Sequence, residues 1–194
     1  MMKSVYIIHG WGGSPKEEIH KWLKSELEKN GFKVNALKMP NSETPRIEEW
    51  IPFLQKNIPV LDKQTYLVGH SIGCQAILRY LETLPKETKV RKVILIAPWI
   101  NLLDTAYENP DEEKKIAKPW IETPINWEKC KSHTKHFTAI FSDNDFCVPL
   151  SDKEIFRKKL NAKIIVEHNK GHFTMENSID KVPSVLRSIL KISN

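Results

Sequence analysis

The chain has 194 residues and can bury a sizeable core, so one domain spanning residues 1–194 is expected. Its 40% hydrophobic and 28% charged residues describe an ordinary soluble globular protein. The net charge of +6 is spread along the length, and runs such as Glu112-Glu113-Lys114-Lys115 and Arg157-Lys158-Lys159 read as solvated helix faces, which argues against a nucleic-acid partner.

In chain order, Val5 to Ile8 reads as a first buried strand, ending at the loop His9-Gly10-Trp11-Gly12-Gly13. Ser14-Pro15 has the form of an N-cap followed by proline at the first helical position. Trp22, Leu23 and Leu27 supply part of that helix's apolar face, and Asn30-Gly31 closes it. Phe32 to Met39 is a second strand. A helix beginning near Thr44-Pro45 places Ile47, Trp50, Ile51 and Leu54 at helical spacing, with Pro52 inside the pattern as a source of a kink. Thr65 to Val68 is a third strand, followed by a helix from Cys74 to Leu84. Val93 to Ala97 is an unbroken apolar run of the kind found in a sheet covered on both faces. Phe137 to Phe141 and Ala162 to Val166 are two further strands, separated by a helix from about Ser151 to Leu160, and a last helix covers about 179–191. Alternating strands and helices predict an α/β fold with a mostly parallel sheet.

Between Pro98 and His136 the rhythm is lost, and an irregular cap-like excursion is expected. It reads equally as a lid or binding wall and as a surface excursion pinned by its tryptophans. Cys74, Cys130 and Cys147 are odd in number and widely spaced, which argues against a disulfide framework or a zinc site and for a reducing compartment. Met1-Met2-Lys3 runs straight into the first strand, and no apolar run is long enough for a bilayer. A cytoplasmic location, with no membrane partner, is the expectation.

Gly69-His70-Ser71-Ile72-Gly73 lies between the third strand and its helix. A serine flanked at two residues by glycines on such a junction has the form of a sharp nucleophile elbow, although short glycine patterns also make structural turns. A serine hydroxyl needs a general base. His172 is the favoured candidate, because Gly171-His172 follows the last strand on a loop that can return over the sheet edge; His168 competes. His20, His133 and His136 read as surface or loop residues. The base needs a carboxylate, and Ser142-Asp143-Asn144-Asp145 after the fifth strand offers two, one of which is expected to do turn work. The order serine, aspartate, histidine is that of α/β-hydrolases. Oxyanion donors are expected at the Ile72 N–H and, from the glycine loop, the Trp11 N–H. That loop lacks both the dinucleotide glycine spacing and the lysine of a P-loop. Trp11 reads as a pocket wall or a core cover, and Trp99 and Trp120 are further candidates for substrate contact.

On His9-Gly10-Trp11-Gly12, Gly69-His70-Ser71-Ile72-Gly73, Asp145-Phe146-Cys147-Val148-Pro149, Gly171-His172-Phe173 and Trp127-Glu128-Lys129, the chain resembles the α/β-hydrolase superfamily. Within it, the chain is similar over essentially its full length to the small serine hydrolases of the retinoblastoma-binding protein 9 family. The resemblance implies a six-stranded sheet of order 2-1-3-4-5-6 with helices on both faces and a modest cap. It also implies Ser71 as nucleophile, Asp145 rather than Asp143 as the orienting acid, and His172 as base. Neither cofactor nor metal is called for. The Leu-x-Cys-x-Glu motif linked to retinoblastoma protein is absent; the corresponding stretch is Val60-Leu61-Asp62-Lys63-Gln64. The expected activity is hydrolysis of small carboxylic esters or amides through an acyl-enzyme. A protein-interaction module on the same scaffold and an acyltransferase are the alternatives.

Overall fold

The computed structural model describes residues 2–58 and 61–191; Met1 and Val60, which enter the readings above, lie outside the described residues. Its strands are β1 (Ser4–Ile8), β2 (Lys33–Leu37), β3 (Thr65–His70), β4 (Lys92–Ile96), β5 (Phe137–Ser142) and β6 (Lys163–Glu167). All pairings are parallel, in the order β2-β1-β3-β4-β5-β6, as anticipated. The register sets Ile8 beside Gly69 and His70 beside Ile96, so the loops leaving β1, β3 and β4 emerge at one edge.

The helices are α1 (Glu18–Lys29), α2 (Ile47–Asn57), α3 (Ile72–Thr83), α4 (Pro110–Glu122), α5 (Trp127–His133), α6 (Asp152–Leu160) and α7 (Pro183–Leu190). Side-chain alternation along the central strands splits the core into two layers. Leu67, Leu95 and Ala139 pack with Trp50, Leu78 and Phe156, from α2, α3 and α6. Val68, Ile94, Ile96 and Ile140 face Leu23, Leu27, Val185 and Ile189, from α1 and α7. Each such apolar side chain contributes roughly 1.5–3 kcal/mol relative to exposure. Helix α3 is buried from Ile72 through Leu81, which makes it a rigid platform for the elbow at its start.

Four expectations need correction. Helix α1 opens at Glu18 rather than behind Ser14. Ser14 instead forms a preceding turn, accepting the Lys16 N–H on Oγ at 3.2 Å and the Glu17 N–H on its carbonyl at 3.3 Å. The last helix starts at Pro183, whose fixed φ suits a first helical position, after a 3-10 turn at Met175–Asn177. The excursion at 98–136 is largely helical. Pro110 stands at the start of α4 with Asp111, Glu112 and Glu113 in the first turn, where acidic groups favour a helix. At its other end the buried Arg79 guanidinium of α3 donates to the carbonyls of Trp120 and Thr123, at 2.8 and 2.9 Å. Finally, His20 and His133 are buried rather than superficial, at 1% and 0% exposure; His136 is exposed, as expected.

Candidate active site

Ser71 sits between β3 and α3 with φ 52° and ψ −123°, a backbone conformation that costs an L residue about 1–3 kcal/mol. Its neighbours hold it there. The Ser71 N–H donates to the Ile96 carbonyl and the Cys74 N–H to the Ser71 carbonyl, each at 2.9 Å. The flanking glycines supply space: a Cβ on Gly69 would lie 2.8 Å from Cys74 N, and one on Gly73 would lie 2.5 Å from the Ile8 carbonyl oxygen.

Ser71, Asp145 and His172 come together at this edge of the sheet. His172 Nε2 is 2.9 Å from Ser71 Oγ, and His172 Nδ1 is 2.9 Å from Asp145 Oδ2 and 3.1 Å from Oδ1. Asp145 Oδ1 also accepts the Cys147 and Val148 amides at 2.8 and 3.1 Å, which fixes the carboxylate's plane. Asp143 and His168, the competing pair, bind each other instead at 2.6 Å in an exposed position. The Asn169 amide, then His168, hold the Asp143 carboxyl below the usual carboxylate range.

Two asparagines that the sequence reading did not single out support the arrangement. Asn144 Oδ1 accepts both the Ser142 hydroxyl and the Gly171 N–H at 2.8 Å, tying the acid loop to the histidine loop. Asn177 Oδ1 accepts the His172 N–H at 2.9 Å and the Thr174 hydroxyl at 3.0 Å. Asn144 reaches across 27 residues to Gly171, whereas Asn177 acts within five residues, and an isolated asparagine in a loop carries no mark of either role.

Ile72 opens α3, so its N–H belongs to the helix's unsatisfied first turn. Across the crevice, His9 orients the other candidate donor. The Met39 N–H donates to His9 Nε2 at 3.0 Å, which leaves the proton on Nδ1 to be donated to the Gly10 carbonyl at 2.8 Å. Because the Gly10 carbonyl and the Trp11 N–H share one trans peptide, the Trp11 N–H points away from His9. Burial lowers the His9 pKa and keeps this ring neutral.

A cavity of about 530 Å³ opens over Ser71 and His172. Trp11, Trp99, Leu102, Tyr107 and Phe146 contribute apolar walls, and Glu17, Glu18, Glu43, Glu108, Glu113 and Glu176 contribute acid. Trp11 is further held by its indole N–H on the Glu43 carbonyl at 2.9 Å. Trp120 does not line this cavity. It is buried against Trp50 and donates its indole N–H to the Pro45 carbonyl at 2.9 Å, so its place is in the core. The start of the excursion is a fixed wall: Asp152, itself buried, accepts the Ile100 and Asn101 amides at 2.7 and 2.8 Å.

Cys147 lies beside the site, yet burial, reinforced by Asp145, pushes its thiol up to about 12. A thiol that is never deprotonated at neutral pH is a poor nucleophile, which leaves the hydroxyl of Ser71 as the group within reach of the imidazole. His70 packs 5.2 Å from His172, ring to ring, and donates Nε2–H to the His172 carbonyl at 2.9 Å. Burial, then the neighbouring His172, brings the His70 pKa down to about 3, so it is a neutral prop.

Known proteins are similar to this chain in sequence and fold. Residues 5–191 match the model of a family described as serine hydrolase. The chain is 31% identical over 185 residues to YdeN of Bacillus subtilis (strain 168), covering 95% of this chain and 93% of that one. It is 29% identical over 183 residues to the serine hydrolase RBBP9 of Rattus norvegicus, covering 94% and 87%. The crystal structure of the B. subtilis ydeN gene product superimposes with a TM-score of 0.86 over 97% of this chain and 98% of that one, at 30% identity. With the family match running from β1 to the end of α7, the chain belongs to the serine hydrolase family.

Proposed function

We propose that this hydrolase cleaves small carboxylic esters or amides through an acyl-enzyme on Ser71, with His172 as general base and acid and Asp145 as its orienting partner. The observation that carries the reading is the continuous path from Ser71 Oγ through both ring nitrogens of His172 to a buried carboxylate. With Asp145 accepting at Nδ1, the proton of the neutral imidazole resides there and Nε2 presents its lone pair to the serine hydroxyl. As Ser71 Oγ attacks a carbonyl carbon, its proton passes to Nε2. The imidazolium so formed is stabilised by Asp145, and then protonates the leaving alcohol or amine. Water repeats the sequence on the acyl-serine and releases the acid.

The Ile72 and Trp11 amides are the proposed donors to the tetrahedral oxyanion. Each such donor is worth roughly 3–4 kcal/mol in comparable sites, because it is already oriented and shielded from water. The cavity volume suits a small molecule. Trp11 and Trp99 are its proposed substrate-contacting walls. Steady-state hydrolysis of p-nitrophenyl acetate tests the reading: the wild type turns it over with a burst of p-nitrophenol, and Ser71→Ala abolishes both phases. Activity unchanged in Ser71→Ala would overturn it.

A further inference from the structure

Behind the elbow, on the side of the sheet covered by α1, Glu17, His20 and His70 converge. One ligand atom from each lies within 4.8 Å of the other two. The hydrogen bonds of the two imidazoles determine which nitrogens are available. His70 Nε2 faces the His172 carbonyl at 2.9 Å and His20 Nδ1 faces the Ser14 carbonyl at 3.1 Å. A carbonyl only accepts, so each of these nitrogens carries the ring's proton. The remaining nitrogens, His70 Nδ1 and His20 Nε2, are therefore both lone-pair acceptors. Both are buried, and among the described residues neither has a hydrogen-bond partner.

Two unprotonated imidazole nitrogens cannot satisfy one another; a proton donor or a metal ion that takes up both lone pairs would satisfy them. The Glu17 carboxylate is the third member of the cluster, with Oε1 held by the Ser14 N–H at 2.6 Å and Oε2 3.6 Å from His20 Nδ1, on the proton-bearing side of that ring. Two neutral imidazoles and a carboxylate form a donor set suited to a borderline dication. Support of each ring by a backbone carbonyl on its far nitrogen is the usual arrangement around metal-bound histidines.

We propose that Glu17, His20 and His70 form a binding site for a transition-metal dication of the zinc type, distinct from the Ser71 site. Burial brings the pKa of His20 to about 4 and that of His70 to about 3, so both rings are in the ligating form at neutral pH. Glu17 and His70 also line the Ser71 cavity, which provides the ion's way in. A bound dication would add positive charge behind the ring that packs on His172.

Zn²⁺ titration in competition with a chromophoric chelator tests the site on the full chain, with Co²⁺ as spectroscopic probe. The necessary control is His172→Ala, since Asp145, Cys147 and His172 also lie within 4.8 Å of one another. Wild type and His172→Ala are each expected to bind one equivalent of Zn²⁺ and to give visible Co²⁺ ligand-field absorption. Removal of a ligand in His20→Ala is expected to weaken binding by about 100-fold or more. His20→Phe, which keeps the ring's volume, serves the same purpose if the alanine variant does not fold. The proposal is overturned if wild type takes up no stoichiometric Zn²⁺, if binding survives loss of His20, or if it vanishes in His172→Ala.

Discussion

Replacing Asp145 and Asp143 one at a time separates an acid that acts on the reaction from one that only shapes a turn. The side chain of Asp145 is 3% exposed and accepts from His172 Nδ1, so its charge reaches the imidazolium through little solvent. Asp145→Asn retains an oxygen for the Cys147 and Val148 amides, yet presents no full charge to the ring and can impose the wrong tautomer. In comparable sites this change lowers kcat by about 10⁴, or roughly 5 kcal/mol at about 1.36 kcal/mol per tenfold. The Asp143 carboxylate is bound to an exposed His168 and to the Asn169 amide, and among the described residues it has no further hydrogen bond. Asp143→Ala should leave kcat within about threefold, because an exposed side-chain contact of this kind is weakly coupled to its surroundings. The assay is kcat for p-nitrophenyl acetate at neutral pH, with circular dichroism to show that both variants are folded. Comparable losses in the two variants, or an Asp145→Asn enzyme within tenfold of wild type, would refute the assignment of roles.

Gly73→Ala should destabilise the fold by about 3 kcal/mol, read as a lower urea midpoint, since the new methyl meets the backbone carbonyls of Ile8 and His9 at 2.5 and 2.6 Å and neither can move aside. Asn144→Ala should cost about 2 kcal/mol by the same measurement, because two donors lose their acceptor at once, whereas Asn144→Asp keeps the oxygen and most of the stability. Stability should also fall on acidification through His9. Burial sets its folded pKa below the unfolded value of 6.5, so the unfolded chain takes the proton first. The stabilisation is complete above that value and is lost as pH drops below it; urea curves at about pH 7.5 and pH 5 should therefore differ less in His9→Gln than in wild type. Among the described residues the cavity lining holds six glutamates and neither lysine nor arginine, although the chain as a whole is basic. An amine-bearing ester should accordingly exceed its carboxylate-bearing counterpart in kcat/KM by about tenfold, with the ratio shrinking as salt is added.

The parts of this molecule legible in the sequence are those written in local pattern. The alternation of short apolar runs with helical spacing was enough for an α/β fold with a mostly parallel sheet, whereas the strand order came with the family resemblance. Gly69 and Gly73 mark the elbow since both touch backbone within the same short turn or on the adjacent strand. Helix α4 was obscured by its own composition. Pro119 lies inside it, and only Ala117 and Trp120 are buried along its length, which is too few to show a stripe. Trp120, a candidate for substrate contact in the sequence, is a core residue for the same reason: its partners, Trp50 and Pro45, come from a distant part of the chain. Likewise, nothing near His20 in sequence reports that His70 lies against it, with ring centroids 6.2 Å apart.

The measurement closest to the centre of the account is covalent labelling with a fluorophosphonate, read by peptide mass spectrometry. A single adduct on Ser71, formed quickly in the wild type, slowed severely in His172→Ala and absent in Ser71→Ala, is the predicted result. An adduct on another residue, or labelling of Ser71 that proceeds equally well without the imidazole, would contradict it.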